Sequence, residues 1–188
     1  MLFDLALIPG LATREVLVSA AEEQALIERI GALELTPFQF QGFTGKRLTT
    51  SFGWSYDFEN GRFNQTQPIP DWLLPLRDLA ADFANLAADD LVHALVIRYD
   101  PGAGIGWHRD RPVFDEVVGI SLGAPTMLSF RQRKEAGFRR VKVPLAPRSA
   151  YHLSGEVRRD WEHGIPAHEA LRFSITFRSL AEKYRPGP

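Results

Sequence analysis

Two residues of the chain have the types and the spacing of a metal-binding pair. His108 and Asp110 are separated by one residue and directly follow the turn-forming segment 100–104. In extended backbone, residues i and i+2 point to the same side, so the imidazole and the carboxylate can reach one ion. The competing interpretation is a chance pair on an exposed strand start, since the chain has five histidines and 23 acidic residues.

A third ligand must come from elsewhere in the chain, and His163 is the best candidate. It lies between two predicted strands and shortly before Pro166. Two histidines and one carboxylate on one face of iron(II) leave three coordination positions open for oxygen and a co-substrate. The sequence therefore predicts an iron(II) site made by His108, Asp110 and His163. We expect His152, inside a predicted strand, to be packed or hydrogen-bonded instead.

The segment 171–178 alternates between polar and apolar residues, which is typical of a strand. Arg172, Ser174, Thr176 and Arg178 share one face. One interpretation places the arginines in water. The other places this face inside a barrel, where two buried guanidinium groups need carboxylates. Arginine binds carboxylates through two donors, and 2-oxoglutarate carries a carboxylate at each end.

Two helices and many short strands are expected to position these residues. Ser19 and Glu22 form a capping box that begins a helix ending near Ile30. Asp71 is expected to cap a second helix, although Pro75 fits poorly inside its second turn. Strands are expected at about 91–99, 117–122, 126–131, 139–143, 148–154 and 171–178. This order favours a mainly β fold with flanking helices around a double-stranded β-helix, the jelly roll.

A hairpin is predicted between the two helices, over Thr49–Phe63, with Asn60-Gly61 as its turn. The even-numbered residues from Phe52 to Phe58 would share one face of its first strand.

Composition sets limits on the function. The 188 residues form one expected domain, and the absence of cysteine excludes disulfides, thiolate metal sites and a cysteine nucleophile. No apolar run is long enough to span a membrane, and the N-terminus does not have the pattern of a signal peptide. We expect a cytoplasmic monomer. Because the net charge is −1, any nucleic-acid contact must come from local basic patches.

The order of these motifs is similar to that of the AlkB family of iron(II)/2-oxoglutarate dioxygenases. Over about 45–180 the resemblance lies in Arg98-Tyr99-x-Pro101-Gly102, His108-x-Asp110, Ser121-Leu122-Gly123, Gly155-Glu156, His163-Gly164 and Arg172-x-Ser174-x-Thr176-x-Arg178. It implies that His108, Asp110 and His163 bind iron and act in catalysis.

The resemblance also implies a co-substrate site. Arg172 would pair with the distal carboxylate of 2-oxoglutarate, Arg178 would lie near its keto-acid end, and Tyr99 would donate a hydrogen bond. Ser174 and Thr176 belong to the same motif.

The resemblance also implies that residues 45–65 form a lid. Its hairpin resembles the nucleotide-recognition lid of the family, with Trp54 and Tyr56 near the target base. The competing interpretation of this aromatic stripe is core packing. Phosphates could be bound by basic residues: Lys46-Arg47, Arg131, Arg133-Lys134, Arg139-Arg140 and Arg158-Arg159.

The chain departs from the family prototype at three positions. Ser174 and Ile97 stand where the prototype has Asn, and Pro112 stands where it has an acid that bears on base recognition. The last departure leaves the iron ligands intact but puts the substrate in doubt. The spacing from Gly155-Glu156 to His163 is closer to the tRNA-acting branch.

The resemblance implies oxidative demethylation of N-alkylated nucleobases in single-stranded DNA or RNA. The target base must be flipped out or already unpaired. Two alternatives stay open: a protein side-chain hydroxylase or demethylase with the same iron chemistry, and a jelly-roll binding module that has lost its metal.

Overall fold

The computed structural model describes residues 8–40, 43–56 and 63–185. Thirteen strands are found in these ranges: β1 Leu11–Arg14, β2 Thr36–Phe40, β3 Phe43–Phe52, β4 Trp54–Tyr56, β5 Phe63–Gln65, β6 Leu91–Tyr99, β7 Ala103–His108, β8 Phe114–Gly123, β9 Thr126–Lys134, β10 Gly137–Leu145, β11 Ala150–Leu153, β12 Glu162–His168 and β13 Arg172–Leu180. The α-helices are α1 Ala20–Gly31, α2 Leu74–Ala84 and α3 Gly155–Asp160, and short 3-10 turns cover Asp71–Leu73, Ala88–Asp90 and Glu182–Tyr184. No helix of the described part has the length and apolar character needed to span a bilayer.

Two antiparallel sheets face each other and confirm the predicted jelly roll. The major sheet has seven strands in the order β1-β11-β8-β13-β6-β3-β2, and the minor sheet has four in the order β10-β9-β12-β7. A separate two-stranded sheet joins β4 to β5. All six strands predicted in the second half are present, and two more, β7 and β12, carry the metal-ligand candidates.

The two predicted helices are present and pack on the outer face of the major sheet. Ser19 and Glu22 form the expected capping box of α1. The prediction for Asp71 is wrong, because this residue opens a 3-10 turn and its side chain caps no helix. Helix α2 begins only at Leu74, so Pro75 lies in its first turn, where the missing N–H group costs nothing.

Two apolar clusters hold these layers together. One joins the helices to the major sheet and includes Ile30, Leu76 and Val96. The other lies between the sheets and includes Ile97, Phe130 and Trp161. Val96 and Ile97 are neighbours in β6 but belong to different clusters, because successive strand residues point to opposite faces. The polar residues of the candidate site lie on the same face of the major sheet as the second cluster.

The hairpin before α2 differs from the prediction. The strand β3 begins at Phe43 and continues to Phe52, and β4 pairs with β5 through Trp54–Gln65 and Tyr56–Phe63. Gly53 interrupts the strand with φ +80, and a side chain there would overlap the carbonyl oxygen of Val92. The single aromatic face predicted from Phe52 onward is therefore broken at Gly53. The turn Asn60-Gly61 and the side chain of Tyr56 lie outside the described residues.

Candidate active site

The three predicted ligands converge between the sheets. His108 ends β7, His163 lies opposite it in β12, and Asp110 follows β7 by two residues. The Nε2 atom of His108 lies 3.5 Å from Oδ1 of Asp110, and the Nε2 atom of His163 lies 3.7 Å from the same oxygen. Two imidazole nitrogens and one carboxylate oxygen lie within 4.8 Å of one another, so they could hold one divalent ion.

Arg178 holds the second oxygen of Asp110. Its Nε donates to Oδ2 at 2.6 Å, which leaves Oδ1 turned toward the two imidazoles. Burial acts to raise the pKa of Asp110, but the charge of Arg178 and the two histidines outweigh it. The pKa therefore lies well below its usual value, and the carboxylate is ionised as a metal ligand must be.

The two histidines are arranged to present Nε2. With Nδ1 protonated, His108 donates to the carbonyl oxygen of Gly106 at 2.9 Å, which leaves Nε2 with its lone pair. Burial, together with the charge of His108, lowers the pKa of His163 to about 3, so its ring is neutral at pH 7. His152 instead pairs with Glu116, and its ring lies beside Phe83 of α2. This confirms the prediction that it is a hydrogen-bonded strand residue.

Arg158 fixes the loop that carries Asp110. Its guanidinium donates to the carbonyl oxygens of Asp110, Arg111 and Phe114 at 3.2, 2.7 and 2.6 Å. The residue is buried in α3. The interpretation of Arg158 as a phosphate contact is therefore wrong. Its positioning role could not be read from the sequence, because it depends on α3 packing beside a loop more than 40 residues earlier.

The polar face of β13 points into the space between the sheets. Arg172, Ser174 and Thr176 are buried, and Arg178 is largely so. Strand β13 lies in the middle of the major sheet, with β6 on one side and β8 on the other. The interpretation that placed these arginines in water is thus wrong, and the barrel interpretation is confirmed.

Arg172 has donors that the protein does not satisfy. The side chain is fully buried, and its Nη2 donates to Oγ of Ser121 at 3.0 Å. Within the described residues, its Nε and Nη1 have no hydrogen-bond partner. Tyr99 lies beside it, with 4.8 Å between the guanidinium carbon and the ring centroid. Buried polar groups are nearly always paired, so this pocket fits an acceptor with several oxygens, such as a carboxylate.

Tyr151 is a further wall of this pocket that the sequence did not reveal. It is buried in β11 opposite Gly119, and a side chain at Gly119 would overlap its phenol ring. Burial, with smaller contributions from Tyr99 and Asp110, raises the pKa of Tyr151 to about 12. The hydroxyl is therefore protonated and can donate a hydrogen bond. Gly119 is the feature of the sequence that could have indicated this contact, because a residue without a side chain leaves room for the ring opposite it.

Lys46 and Arg47 do not act as one basic pair, because adjacent strand residues face opposite ways. Lys46 is exposed, whereas Arg47 points toward the site. Burial lowers the pKa of Arg47, and Tyr99, Arg178 and Asp110 lie close enough to act on it electrostatically. Its guanidinium lies 4.1 Å from the ring centroid of Phe38, and no described residue accepts a hydrogen bond from its Nε.

Trp54 is half-buried. It packs against the small cluster of Val113, Phe114 and Leu180. Phe114 also contacts His93 and Arg178, so Trp54 lies at the same end of the cavity as the metal ligands.

Of the other predicted phosphate contacts, Arg159 lies in α3, and the rest lie on strands β9 and β10. Arg131 and Arg133 share the outer face of the minor sheet, and Arg131 pairs with Glu162 at 2.6 Å. Lys134 and Arg139 belong to the opposite face, so the sequence pairs Arg133-Lys134 and Arg139-Arg140 are separated by the strand alternation.

The chain matches a known family along nearly its whole length. The model for the 2OG-Fe(II) oxygenase superfamily matches residues 5–178. The tRNA (carboxymethyluridine(34)-5-O)-methyltransferase ALKBH8 of Macaca fascicularis is 32% identical over 169 residues, which are 85% of this chain and 24% of that protein. The probable RNA/DNA demethylase ALKBH6 of Danio rerio is 29% identical over 114 residues, which are 60% of this chain and 46% of that protein.

This chain therefore spans about a quarter of the length of that ALKBH8 and under half of that ALKBH6. The solved structure of OsALKBH1 has the same fold, with a TM-score of 0.69, 16% identity, and coverage of 92% of this chain and 98% of that one. From the family match, the chain belongs to the 2OG-Fe(II) oxygenase superfamily, whose members are iron(II)- and 2-oxoglutarate-dependent dioxygenases, and the relatives and the fold show that it is similar to AlkB-like members.

Proposed function

We propose that this dioxygenase removes N-alkyl groups from nucleobases in DNA or RNA. The observation that carries the proposal is Arg47, a half-buried cation close enough to Asp110 and Arg178 to interact with them electrostatically. Its Nε is buried and has no hydrogen-bond partner among the described residues. Its guanidinium could bind an anionic group of a substrate, such as a phosphate. Relatives of the chain support the class of substrate, since one is named for tRNA and another as a probable RNA/DNA demethylase.

In this proposal His108, Asp110 and His163 hold iron(II). When bound, iron(II) would supply the activation of oxygen, with 2-oxoglutarate and oxygen converted to succinate and carbon dioxide and one oxygen atom inserted into a C–H bond of the N-alkyl group. The hydroxylated group would then leave the base nitrogen as an aldehyde, which is formaldehyde for a methyl group. The chain's own groups bind and orient. Arg178 keeps Oδ1 of Asp110 turned toward the two imidazoles, and Arg158 prevents the loop from moving away.

The co-substrate is held at the other end of the cavity. Arg172 pairs with the distal carboxylate of 2-oxoglutarate through Nε and Nη1, which have no hydrogen-bond partner among the described residues. Tyr99 and Tyr151 donate hydroxyl hydrogen bonds, and Ser174 and Thr176 line the polar face. Arg178 lies nearer the keto-acid end, where its contact with Asp110 links the two subsites.

The substrate enters beneath the segment 45–65, which we propose is a lid on a single domain of residues 1–188. Trp54 and Tyr56 would contact an unstacked base, whose stacking on an aromatic ring contributes roughly 1–3 kcal/mol. Arg47 contacts the neighbouring phosphate from inside the cavity, and Lys46 contacts the strand from outside.

The proposal is tested with protein reconstituted with iron(II) in the absence of oxygen. Oxygen and 2-oxoglutarate are then added with N-methylated single-stranded DNA, RNA, tRNA or peptides, and succinate and formaldehyde are measured. We expect equal amounts of both products, with a nucleic acid as the substrate. Arg47→Gln should raise the KM for that substrate at least tenfold without changing the KM for 2-oxoglutarate, whereas Arg29→Gln on exposed α1 should change neither.

Other outcomes separate the alternatives. Formaldehyde or hydroxylated product from a peptide alone would replace this proposal with the protein-substrate function. A higher KM for 2-oxoglutarate in Arg47→Gln would assign this arginine to the co-substrate instead. Failure to bind iron(II) would favour the binding module that has lost its metal.

A further inference from the structure

The strands that carry the two histidine ligands have a second face. His108 and His163 register with each other and point inward. Their neighbours Trp107 and Glu162 consequently point away from the cavity, because successive strand residues alternate. Trp107 is 40% exposed, which is unusual for a tryptophan of a packed sheet. The minor sheet therefore has an outer surface directly behind the metal ligands.

Basic residues are concentrated on this surface. Strand pairing places Arg131 opposite Arg140, Arg133 opposite Phe138, and Ser129 opposite Lys142. We call the surface the outer face and define it by the residues Trp107, Arg131, Arg133, Phe138, Arg140 and Lys142. None of the basic members is adjacent in sequence to another, so the cluster forms only when β9 and β10 pair.

Three of the guanidinium groups gather around one ring. The guanidinium carbons of Arg131, Arg133 and Arg140 lie 4.6, 5.3 and 5.4 Å from the centroid of Phe138. Of these three arginines, only Arg131 forms a salt bridge with a carboxylate of the described residues, that of Glu162. Arg133, Arg140 and Lys142 are exposed and have no such partner in those ranges. A chain with net charge −1 thus carries a local excess of positive charge here, which attracts a polyanion.

An aromatic groove lies next to these charges. Trp107 forms one wall, beside Gly106, Ser129 and Gly164. Arg131 stacks on Trp107 at 4.7 Å and connects the groove to the basic cluster. Flat apolar walls beside cations are the combination that binds an unpaired base and its phosphates.

We propose that the outer face binds a second stretch of single-stranded nucleic acid, outside the cavity that contains the metal ligands. Phosphates contact Arg133, Arg140 and Lys142, and one unpaired base lies in the groove against Trp107. The inference rests on the proposed function for the class of partner and deepens it. Such contacts add affinity for the strand without reading its sequence, because phosphates and base faces are common to all nucleotides. An acidic protein would match the charges but would not need the aromatic groove.

The test measures binding of unmodified single-stranded oligonucleotides, about 15 nucleotides long to span the sites of known single-strand binders. The triple variant Arg133→Gln, Arg140→Gln, Lys142→Gln is compared with the wild type by fluorescence anisotropy at several salt concentrations. Affinity at low salt should fall at least tenfold. The slope of log affinity against log salt should become shallower by about 2, since each phosphate contact contributes roughly 0.7 on single strands.

The matched control removes three exposed cations elsewhere, with Arg14→Gln, Arg29→Gln and Lys183→Gln. It should keep the wild-type slope. Trp107→Leu should weaken binding by roughly 5- to 150-fold, the effect of losing one stacked base at about 1–3 kcal/mol. Because Trp107 precedes His108, the iron(II) affinity of this variant is measured as well and should equal that of the wild type.

Three results would overturn the inference. They are wild-type affinity and slope in the triple variant, an equal loss in the control triple, and competition by polyglutamate that matches competition by the oligonucleotide. A wild-type protein that binds oligonucleotides through the outer face but releases no formaldehyde from alkylated ones would support the inference and contradict only the proposed demethylation.

Discussion

The buried charges at the two ends of the cavity between the sheets differ in how far protein groups pair them. At the metal end, protein groups already contact one another: Arg178 donates to Asp110, and Arg158 donates to three carbonyl oxygens. At the co-substrate end, Arg172 is fully buried but keeps two donors without a partner in the described part of the chain. Burying a charge is costly unless it is paired.

The difference shows which parts of the site the fold builds by itself. The metal end is organised before any ligand arrives, because its carboxylate is already oriented by an arginine. The co-substrate end is completed only by an incoming carboxylate. Substitutions at the metal end should therefore affect both folding and turnover, whereas those at the co-substrate end should affect ligand binding alone.

The largest effect is expected for Asp110→Ala. Turnover should be lost, and the free energy of unfolding should fall by about 3–5 kcal/mol, because the variant leaves Arg178 buried without its carboxylate. His108→Ala should also abolish turnover, but its ring is 32% exposed and its loss should cost about 1 kcal/mol or less. Succinate formation and urea denaturation measure the two quantities. Equal stability losses in both variants would contradict the preorganised metal end.

Arg172→Leu tests the other end. The KM for 2-oxoglutarate should rise by roughly 30-fold to a few thousandfold, since truncating one side of a buried charge pair costs about 2–5 kcal/mol. The ligand-free variant should be at least as stable as the wild type, because an incompletely paired buried charge has been removed. Arg172→Lys should not restore affinity, since the two-donor geometry is lost. A stability loss as large as that of Asp110→Ala would remove the contrast between the two ends.

The pH dependence of the metal-free protein should sharpen the comparison. The pKa of His163 is about 3 in the folded protein and near 6.5 in the unfolded one, so below pH 6.5 only the unfolded state binds the proton. Stability should thus be fully present above pH 6.5 and fall as the pH decreases toward 3. At pH 5.5 the loss from His163 is about 1.4 kcal/mol.

His93 acts in the same direction, because burial and Arg178 lower its pKa as well. Urea midpoints at pH 7.5, 6.5 and 5.5 measure the effect, and His163→Asn should flatten the curve. A metal-free wild type that is equally stable at all three values would show that these rings are not buried in the neutral form.

The smallest effect is expected for Tyr151→Phe. Losing one hydroxyl hydrogen bond to a carboxylate should raise the KM for 2-oxoglutarate about fivefold, which corresponds to roughly 1 kcal/mol. The fold should be unchanged, since the ring still fills the space over Gly119. The exposed Tyr184 offers the control, and Tyr184→Phe should have no effect on the KM. An unchanged KM in Tyr151→Phe would place this hydroxyl outside the co-substrate pocket.

Local patterns in the sequence predicted the parts of the site that depend on strand alternation. His108 and Asp110 were found from their spacing. The alternation of polar and apolar residues placed the arginines of β13 on one face, but only the family resemblance favoured the inward direction. Arg158 and Tyr151 could not be found in this way, because their contacts depend on which distant segments become neighbours. Long-range pairing of this kind leaves no local pattern.

The predicted basic pairs show a second kind of error, in which residues were grouped that the structure separates. Neighbouring cations such as Arg133-Lys134 were grouped because they are adjacent in sequence, although adjacent strand residues point to opposite faces. The outer face takes one cation from each of two pairs, Arg133 and Arg140, together with Arg131, and adds Lys142, which had not been considered. The same alternation that located the metal ligands would have divided these pairs correctly.

The back-to-back placement of Trp107 and His108 restricts how this chain can change in length during evolution. Inserting or deleting one residue within β7 would exchange the two sides of the strand, turning the indole inward and the imidazole outward. One such event would remove a metal ligand and the exposed ring together, whereas the hairpin tip between β9 and β10 can grow without disturbing either. Homologous chains should therefore keep the length of β7 fixed and vary at that tip.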